Sequence, residues 1–75
     1  MGSREVLAFN LRHYRRARGL SQEELAHRVG IDRTYVSALE RRLYSATVDM
    51  LDRLAQELGV EAADFLRPKD AETKS

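Results

Sequence analysis

The stretch Ser21–Glu40, SQEELAHRVGIDRTYVSALE, predicts two short helices joined by a tight turn. Ser21 followed three residues later by Glu24 is the pattern of a capping box, in which each side chain bonds a backbone N–H group that the helix start leaves unpaired. Gly30 marks the expected end of this helix, because glycine adopts the left-handed conformation of a terminating residue without a steric penalty. The capping box and the glycine therefore bracket one short helix.

The second helix of this stretch is expected from Arg33 to about Glu40, because Asp32 has the side chain of an N-cap. Val36 and Leu39 are three residues apart and share one face, which predicts that both turn toward a core. The remaining side chains are expected to face outward. They are Arg33, Thr34, Ser37, Ala38 and Arg41.

The outward positions form one continuous stripe on a helix of 3.6 residues per turn, and no carboxylate interrupts it. The major groove of DNA, roughly 12 Å wide, accepts an α-helix. In that groove arginine bonds guanine, hydroxyl groups bond donors or acceptors, and small apolar groups contact the thymine methyl. The stripe carries all three kinds of side chain, which favours a recognition helix for double-stranded DNA. The alternative is an ordinary helical bundle, since short amphipathic helices with a cap and a glycine turn occur in many bundles and an exposed arginine is usually solvated.

The segment before this motif also has helical spacing. Residues 5–18 place Leu7, Leu11 and Tyr14 on one side, and Gly19 is expected to end the helix. Leu20 is then expected in the core, where it packs at the entry to the next helix. No strand pattern and no internal repeat is present in the sequence.

Two further helical segments follow the motif. Thr47 is the expected N-cap of a fourth helix that stops at Gly59. Its expected apolar stripe is Val48, Leu51, Leu54, Ala55 and Leu58. A last short turn of helix is expected at about residues 62–66, where Phe65 and Leu66 close the bottom of the core.

The sequence thus predicts an all-α fold of five helices, with the helix-turn-helix at helices 2 and 3. It divides into a flexible N-terminus at residues 1–5, one domain at residues 6–66 and a disordered tail at residues 67–75, because the tail is charged and carries no apolar anchor. Seventy-five residues lie near the lower limit for a single core without cross-links. Neither a second, ligand-sensing domain nor a small-molecule ligand is therefore expected.

Composition argues against several classes of function. The sequence has no cysteine, and its two histidines, His13 and His27, are not at metal-ligand spacing. No nucleophile, base and orienting group form a recognisable cluster, so no enzymatic activity, metal or cofactor is expected. No apolar run approaches the roughly 20 residues of a membrane span, and no signal-peptide pattern follows the N-terminus. The expectation is a soluble cytoplasmic protein associated with the nucleoid.

Charge is unevenly distributed, although the formal net charge is only +1. Residues 1–42 hold nine arginines against five acidic residues, whereas residues 43–75 hold four basic residues against seven acidic ones. The basic half contains the predicted recognition helix, which is consistent with a polyanionic partner. Arginine-rich helices also occur simply as solvated surfaces, so charge alone does not decide between these interpretations.

Several runs of the chain resemble the Cro/C1-type (XRE) helix-turn-helix family, which has the fold of lambda repressor. The resemblance covers about residues 6–66, and the capping box, the turn glycine, the inward aliphatics and the Leu-Glu-Arg ending all fall at the spacing of that family. The matching runs are Leu11-Arg12 with Arg15, Arg18–Ala26, Val29-Gly30, and Val36-Ser37 through Leu39–Arg41. The run GIDRTYVS at residues 30–37 further resembles the small controller proteins of restriction-modification systems.

The resemblance implies roles for individual residues. Gln22, at the start of the second helix, matches a glutamine that holds a DNA phosphate. The base-facing positions are matched by Arg33, Thr34, Ser37 and Ala38. Tyr35 and Arg41 lie where family members touch the DNA backbone, although Tyr35 equally suits half-buried packing. Arg15 and Glu40 match a buried ion pair between the first and third helices, and two solvated charges are the alternative.

The chain departs from the family pattern after the recognition helix. The family usually has glycine after Glu-Arg and proline before the fourth helix, where this chain has Arg42 and Ala46. Since that connection normally presents backbone N–H groups to phosphate, its path is expected to differ here. Arg42, which we count among the DNA-binding residues, and Tyr44 are the candidates to replace those contacts or to face a partner subunit.

The predicted function is a sequence-specific DNA-binding transcriptional regulator, acting as a homodimer on a pseudo-palindromic operator because one such module buries little DNA surface. Met50, Phe65 and the connection around Leu43 and Tyr44 are the candidates for self-association. Two alternatives remain, namely an antitoxin that binds DNA and a toxin partner, and a helical protein-interaction module that binds no DNA. The interaction module would carry an acidic or apolar stripe on the outer face of the third helix, and the sequence shows the opposite.

Overall fold

The computed structural model describes residues 2–68, and all the regular secondary structure in this part of the chain is helical. The elements are α1 (Ser3–Ala17), α2 (Gln22–Val29), α3 (Arg33–Glu40), α4 (Val48–Leu58) and a 3₁₀ helix (Ala62–Leu66). The predicted all-α fold is confirmed for the described residues. The predicted count of five helices is not, because the last element is a 3₁₀ turn and only four elements are α-helices.

The last element is short because the sequence around it limits its length. The Asp64 N–H group donates to the Glu61 carbonyl at 2.9 Å, an i to i+3 bond of the 3₁₀ type. Arg67 then takes an extended conformation, with φ −87° and ψ 119°, as expected for a residue that precedes a proline. The 3₁₀ helix between Val60 and Pro68 is therefore limited to five residues.

Side chains cap the starts of α2, α3 and α4 as predicted. The Glu24 N–H group donates to Ser21 Oγ at 3.0 Å, and the Ser21 N–H group donates to Glu24 Oε1 at 2.9 Å, which completes the capping box. Asp32 Oδ1 accepts from the Thr34 N–H group at 2.8 Å at the start of α3. Thr47 caps α4 in the same way. These bonds pair backbone donors that a helix start leaves without partners.

All four α-helices end in the same local arrangement, a left-handed residue followed by a chain reversal. The left-handed residues are Gly19, Gly30, Arg42 and Gly59, with φ of 69°, 81°, 66° and 71°. At the end of α3 the Arg42 N–H group donates to the Leu39 carbonyl and the Leu43 N–H group donates to the Ala38 carbonyl, which is the hydrogen-bond pattern of a Schellman motif. Arg42 is the single non-glycine among these four residues, and among residues 2–68 it alone combines a side chain with a positive φ.

One hydrophobic core joins all the helices. Its fully buried side chains come from every element, and the largest are Leu11, Leu25, Leu39, Leu54 and Phe65. α3 packs against both α1 and α2, so only one side of it faces solvent. The side chain of Asn10, also buried, donates from Nδ2 to the carbonyls of Phe65 and Arg67 at 2.9 Å each, which attaches the 3₁₀ helix to α1.

Two side chains expected in the core are exposed instead. Val48 is 72% exposed although it lies only about 20° around α4 from buried Ala55, because it is the first residue of that helix and the buried residues begin one turn later, at Leu51. Leu66 is 50% exposed, while its neighbour Phe65 is fully buried. Phe65 is thus a core residue, and the prediction that it is a candidate for self-association was wrong.

The ends of the described region bear on the predicted domain limits. α1 begins at Ser3, whereas the apolar pattern in the sequence begins at residue 5. Residues 67 and 68 follow the 3₁₀ helix without forming a further element. The remaining part of the predicted tail, residues 69–75, lies outside the described residues.

Candidate nucleic-acid interface

The solvent-facing side of α3 carries most of the predicted recognition residues. Arg33, Thr34 and Arg41 are exposed, and Ser37 is half-buried between them along the helix. Since α3 advances 100° per residue, these four positions fall within one arc of about 100°. Val36 and Leu39, which have no exposed surface, lie on the opposite side and hold this arc toward solvent.

Ala38 does not belong to this exposed arc, and the prediction that it faces outward was wrong. Only 3% of its surface is exposed. The reason is the chain reversal at the end of α3, where the Leu43 N–H group donates to the Ala38 carbonyl at 2.9 Å and the following segment folds back over the last turn. A methyl group covered in this way is not available to a thymine methyl in the groove.

Arg15 and Glu40 form the predicted buried ion pair between α1 and α3. Arg15 Nε donates to Glu40 Oε2 at 2.6 Å, and Arg15 Nη2 donates to Glu40 Oε1 at 2.9 Å. The two side chains are only 9% and 2% exposed. Arg15 Nη1 also donates to the Leu20 carbonyl at 2.8 Å, so one guanidinium group positions α3 and the entry to α2 together.

Gln22 joins the same network, which the sequence did not reveal. Its Nε2 donates to Glu40 Oε1 at 3.0 Å, and its side chain is half-buried. A primary amide has two N–H groups, so one remains able to donate to a second acceptor at the start of α2. The first N–H groups of α2 and the positive end of its dipole also favour an anion at this place.

Arg12 completes the set of side chains around Glu40. Its Nη2 donates to the Glu40 carbonyl at 2.9 Å, and its Nε lies 3.7 Å from Glu40 Oε1. Burial alone would raise the pKa of the Glu40 carboxyl, but the hydrogen bonds from Arg15 and Gln22 and the charges of Arg15 and Arg12 outweigh burial and lower it. Glu40 therefore stays ionised and helps to fix the positions of α1, α2 and α3 relative to one another. The signal in the sequence was the spacing of Arg12 and Arg15, three residues apart on one face of α1.

Tyr35 is half-buried, and its ring lies 6.5 Å from the ring of Tyr44 between centroids. It packs against the core from α3, while Tyr44 is 58% exposed in the connection to α4. This position is compatible with packing and with a phenol oxygen directed at the DNA backbone, the two interpretations left open by the sequence. Arg41 and Arg42 directly follow the last residue of α3, and both side chains are exposed.

Within residues 2–68 no three His, Asp or Glu side chains lie close enough to hold a metal ion. No helix in this part of the chain is both long and apolar enough to cross a membrane.

Comparisons with known proteins agree with the fold and the exposed face of α3. A family model described as "Helix-turn-helix" matches residues 11–65. A "hypothetical transcription factor" of Neisseria meningitidis serogroup B is 45% identical over 71 residues, covering 95% of this chain and 67% of that protein. The control protein C.SmaI of Serratia marcescens is 39% identical over 66 residues, covering 88% of this chain and 79% of that protein.

Two solved structures show the same fold. The crystal structure of the Neisseria factor superposes with a TM-score of 0.93 at 44% identity, covering 97% of this chain and 84% of that one. The structure of SinR, described as the master regulator for biofilm formation, was determined in complex with DNA. It superposes with a TM-score of 0.78 at 27% identity, covering 81% of this chain and 98% of SinR.

The fold and the exposed face of α3 define a helix-turn-helix protein. The family match and the relatives show, more narrowly, that this chain belongs to the Cro/C1-type (XRE) helix-turn-helix family. The resemblance found in the sequence is therefore confirmed. Similarity to restriction-modification control proteins is also confirmed, since C.SmaI is among the relatives.

Proposed function

We propose that this protein is a sequence-specific DNA-binding transcriptional regulator that acts in the cytoplasm, associated with the nucleoid. The observation that carries the proposal is the exposed arc of Arg33, Thr34, Ser37 and Arg41 on a helix whose other side is fixed by the core and by the Arg15–Glu40 pair. Relatives named as transcriptional regulators, and SinR solved with DNA, support it.

The proposed contacts divide into two kinds. Arg33, Thr34 and Ser37 contact base edges in the major groove, where arginine prefers guanine and hydroxyl groups accept either partner. Gln22, Tyr35, Arg41 and Arg42 contact phosphates on either side of the groove, which fixes the helix in position without reading the sequence.

A homodimer on a pseudo-palindromic operator is the second part of the proposal. One recognition helix covers only a few base pairs, and two helices about 34 Å apart would enter successive major grooves on one side of the DNA. Three of the five large apolar side chains that are exposed within residues 2–68 lie between positions 43 and 48, namely Leu43, Tyr44 and Val48. Such a concentration beside the recognition helix is typical of an association surface.

The function is tested by incubating the purified protein with a randomised duplex library at about physiological salt, where non-specific phosphate binding is weak, and sequencing the retained DNA. We expect an inverted repeat with half-sites about one helical turn apart. Arg33→Glu should abolish the enrichment, whereas Arg67→Glu, the same charge change after the 3₁₀ helix, should preserve it. No enrichment from folded wild-type protein would overturn the proposal and favour a protein-binding role, with or without a toxin partner.

The dimer is tested separately by sedimentation of the wild type, Val48→Asp and Leu66→Asp. The two variants add a charge at an exposed aliphatic side chain, but only Val48 lies in the proposed surface. We expect the wild type and Leu66→Asp to sediment as dimers and Val48→Asp to sediment as a monomer. The dimer would be contradicted if the wild type sediments as a monomer and only one molecule binds each inverted repeat.

A further inference from the structure

A surface cleft of about 400 Å³ lies between the first half of α1 and the C-terminal end of α3. Three arginines line it, Arg12 from α1 and Arg41 and Arg42 from the end of α3, together with Glu5 and the ring of Phe9. Arg41 follows Ser37 by four residues, so the cleft adjoins the exposed arc of the recognition helix at its C-terminal end.

The charges in this cleft favour an anion. Glu40 also lines it, but Arg15 and Gln22 already bond both of its carboxylate oxygens. Arg12 uses one of its five N–H groups on the Glu40 carbonyl, and its side chain is still 43% exposed, so further donors face solvent. Glu5 is thus the acidic side chain that opposes the three arginines.

Glu5 occupies the position that an incoming anion would take beside Arg42. Glu5 Oε2 lies 3.7 Å from Arg42 Nη1, and the two side chains are 48% and 61% exposed. Exposed pairs at this distance are weak, so a phosphate group that can meet several guanidinium groups at once competes well for Arg42.

The backbone at Arg42 gives a second reason to connect this residue with binding. Its φ of 66° is one that glycine adopts more easily, and glycine stands at the equivalent place after α1, α2 and α4. A glycine at position 42 would form the same turn but would carry no charge. The conformational cost of the arginine is consistent with a functional side chain at this position.

We propose that this cleft is a binding site for one phosphate group of the DNA backbone, held by Arg12, Arg41 and Arg42, and that Glu5 is the internal competitor that the phosphate displaces from Arg42. The inference rests on the proposed function and deepens it, since it adds α1 to the DNA interface. Glu5 then lowers the affinity for every DNA sequence equally, because a phosphate contact carries no sequence information.

The test compares Glu5→Gln with Asp52→Asn by titrating each into the enriched operator and into an unrelated duplex. Both changes remove one negative charge, but Asp52 lies on α4, away from the cleft. Glutamine also keeps the side-chain oxygen that accepts from the Gly2 N–H group at the start of α1. Glu5→Gln should bind both duplexes roughly two- to fivefold more tightly than the wild type, and Asp52→Asn should change the affinity less.

Together with the wild type and Glu5→Gln, the variants Arg42→Gln and Glu5→Gln/Arg42→Gln form a double-mutant cycle. Arg42→Gln should reduce the slope of log affinity against log salt by about one phosphate contact, roughly 0.9. In its background the gain from Glu5→Gln should disappear, because Glu5 acts through Arg42. An equal effect of Glu5→Gln and Asp52→Asn, or a gain that persists without Arg42, would overturn the inference.

Two further arms separate the remaining explanations. Thermal unfolding in inorganic phosphate distinguishes the two sources of the anion. We expect a smaller shift for Arg42→Gln than for the wild type, together with tighter DNA binding by Glu5→Gln. The same difference in shift with unchanged DNA affinity of Glu5→Gln would assign the cleft to a free anion instead. If the wild type binds no DNA, the proposed function fails together with this inference. If binding is sequence-specific and depends on Arg33 but not on Glu5, this inference alone fails.

Discussion

Arg15 of α1 and Glu40 of α3 form a two-point ion pair, with N–O distances of 2.6 and 2.9 Å, inside a network that also includes Gln22 of α2. Glu40 is the last residue of the recognition helix, and Gln22 is the first residue of the helix before it. One buried carboxylate therefore bonds side chains of both α1 and α2, in addition to the core contacts that hold α3.

Arg15→Ala should destabilise the fold by about 3 kcal/mol or more, because it leaves the Glu40 carboxylate buried without its main partner. The free energy of unfolding is measured by urea titration followed by circular dichroism. Arg16→Ala removes an exposed arginine one residue further along α1 and should have a much smaller effect. Arg15→Met/Glu40→Met removes both charges and should recover most of the loss. Equal stability of Arg15→Ala and Arg16→Ala would show that the pair does not stabilise the fold.

Acid should unfold the protein over a range set by three carboxyl groups. The pKa of Glu40 is lowered below its usual 4.5, and the N-terminal capping bonds of Glu24 and Asp32 lower their pKa values as well. A carboxyl group with a lowered pKa in the folded state binds fewer protons there than in the unfolded chain. Its contribution is therefore complete above the unfolded pKa and is lost as the pH falls through the folded one.

The free energy of unfolding should accordingly be nearly constant above about pH 5 and should fall progressively below the unfolded pKa values. Urea titrations at several pH values measure this dependence. Glu40→Gln should be less stable at neutral pH but should show a shallower decline in acid. A decline as steep as that of the wild type would mean that Glu40 does not titrate in this range.

Arg33→Ala should cost roughly 1–3 kcal/mol of operator binding and should relax the preference at one base pair in each half-site. The reason is that an arginine on guanine makes two hydrogen bonds that the other bases do not offer. Binding is measured on the operator and on its single-base variants. Arg67→Ala is the matched control, because Arg67 lies after the 3₁₀ helix and pairs with Asp64. An unchanged base preference in Arg33→Ala would remove this residue from the base contacts.

Arg42→Gly should separate stability from binding. A side chain in the left-handed conformation costs roughly 1–2 kcal/mol, and glycine returns part of that through its freedom in the unfolded chain. The net expectation is a gain in stability of up to about 1 kcal/mol together with weaker DNA binding. Arg42→Ala keeps the backbone cost and loses the charge, so it should weaken binding without the gain. A stabilised variant that binds DNA as tightly as the wild type would exclude Arg42 from the interface.

The sequence was sufficient for features that depend on neighbouring residues. The caps formed by Ser21, Asp32 and Thr47 and the helix ends at Gly19, Gly30 and Gly59 are all where local chemistry predicted them. Such features involve residues within four or five positions of one another, so their geometry is written in short patterns. The apolar faces of α1 to α3 followed from helical spacing for the same reason.

Features that depend on distant parts of the chain were predicted less well. Ala38 has the position of an outward residue on an ideal helix, but the chain reversal after Arg42 covers it. Val48 has the spacing of the buried stripe, since it lies only about 20° around the helix from buried Ala55, but it is the first residue of α4, and spacing within the helix does not determine what covers a side chain there. The contacts of Gln22 and Arg12 with Glu40 join three helices. The spacing of Arg12 and Arg15 places both on one face of α1, but no pattern within a single helix identifies Glu40 as the partner.

Hydrogen bonds at its two ends determine where α3 begins and where it stops. Asp32 starts the helix through its bond to the Thr34 N–H group, and the reversal at Arg42 stops it through two backbone bonds. None of these bonds uses the exposed side chains of Arg33, Ser37 or Thr34. Exchanging those three side chains should therefore redirect the domain to a different operator while its helix boundaries and its core stay as they are, which makes this small chain a scaffold for altered specificity.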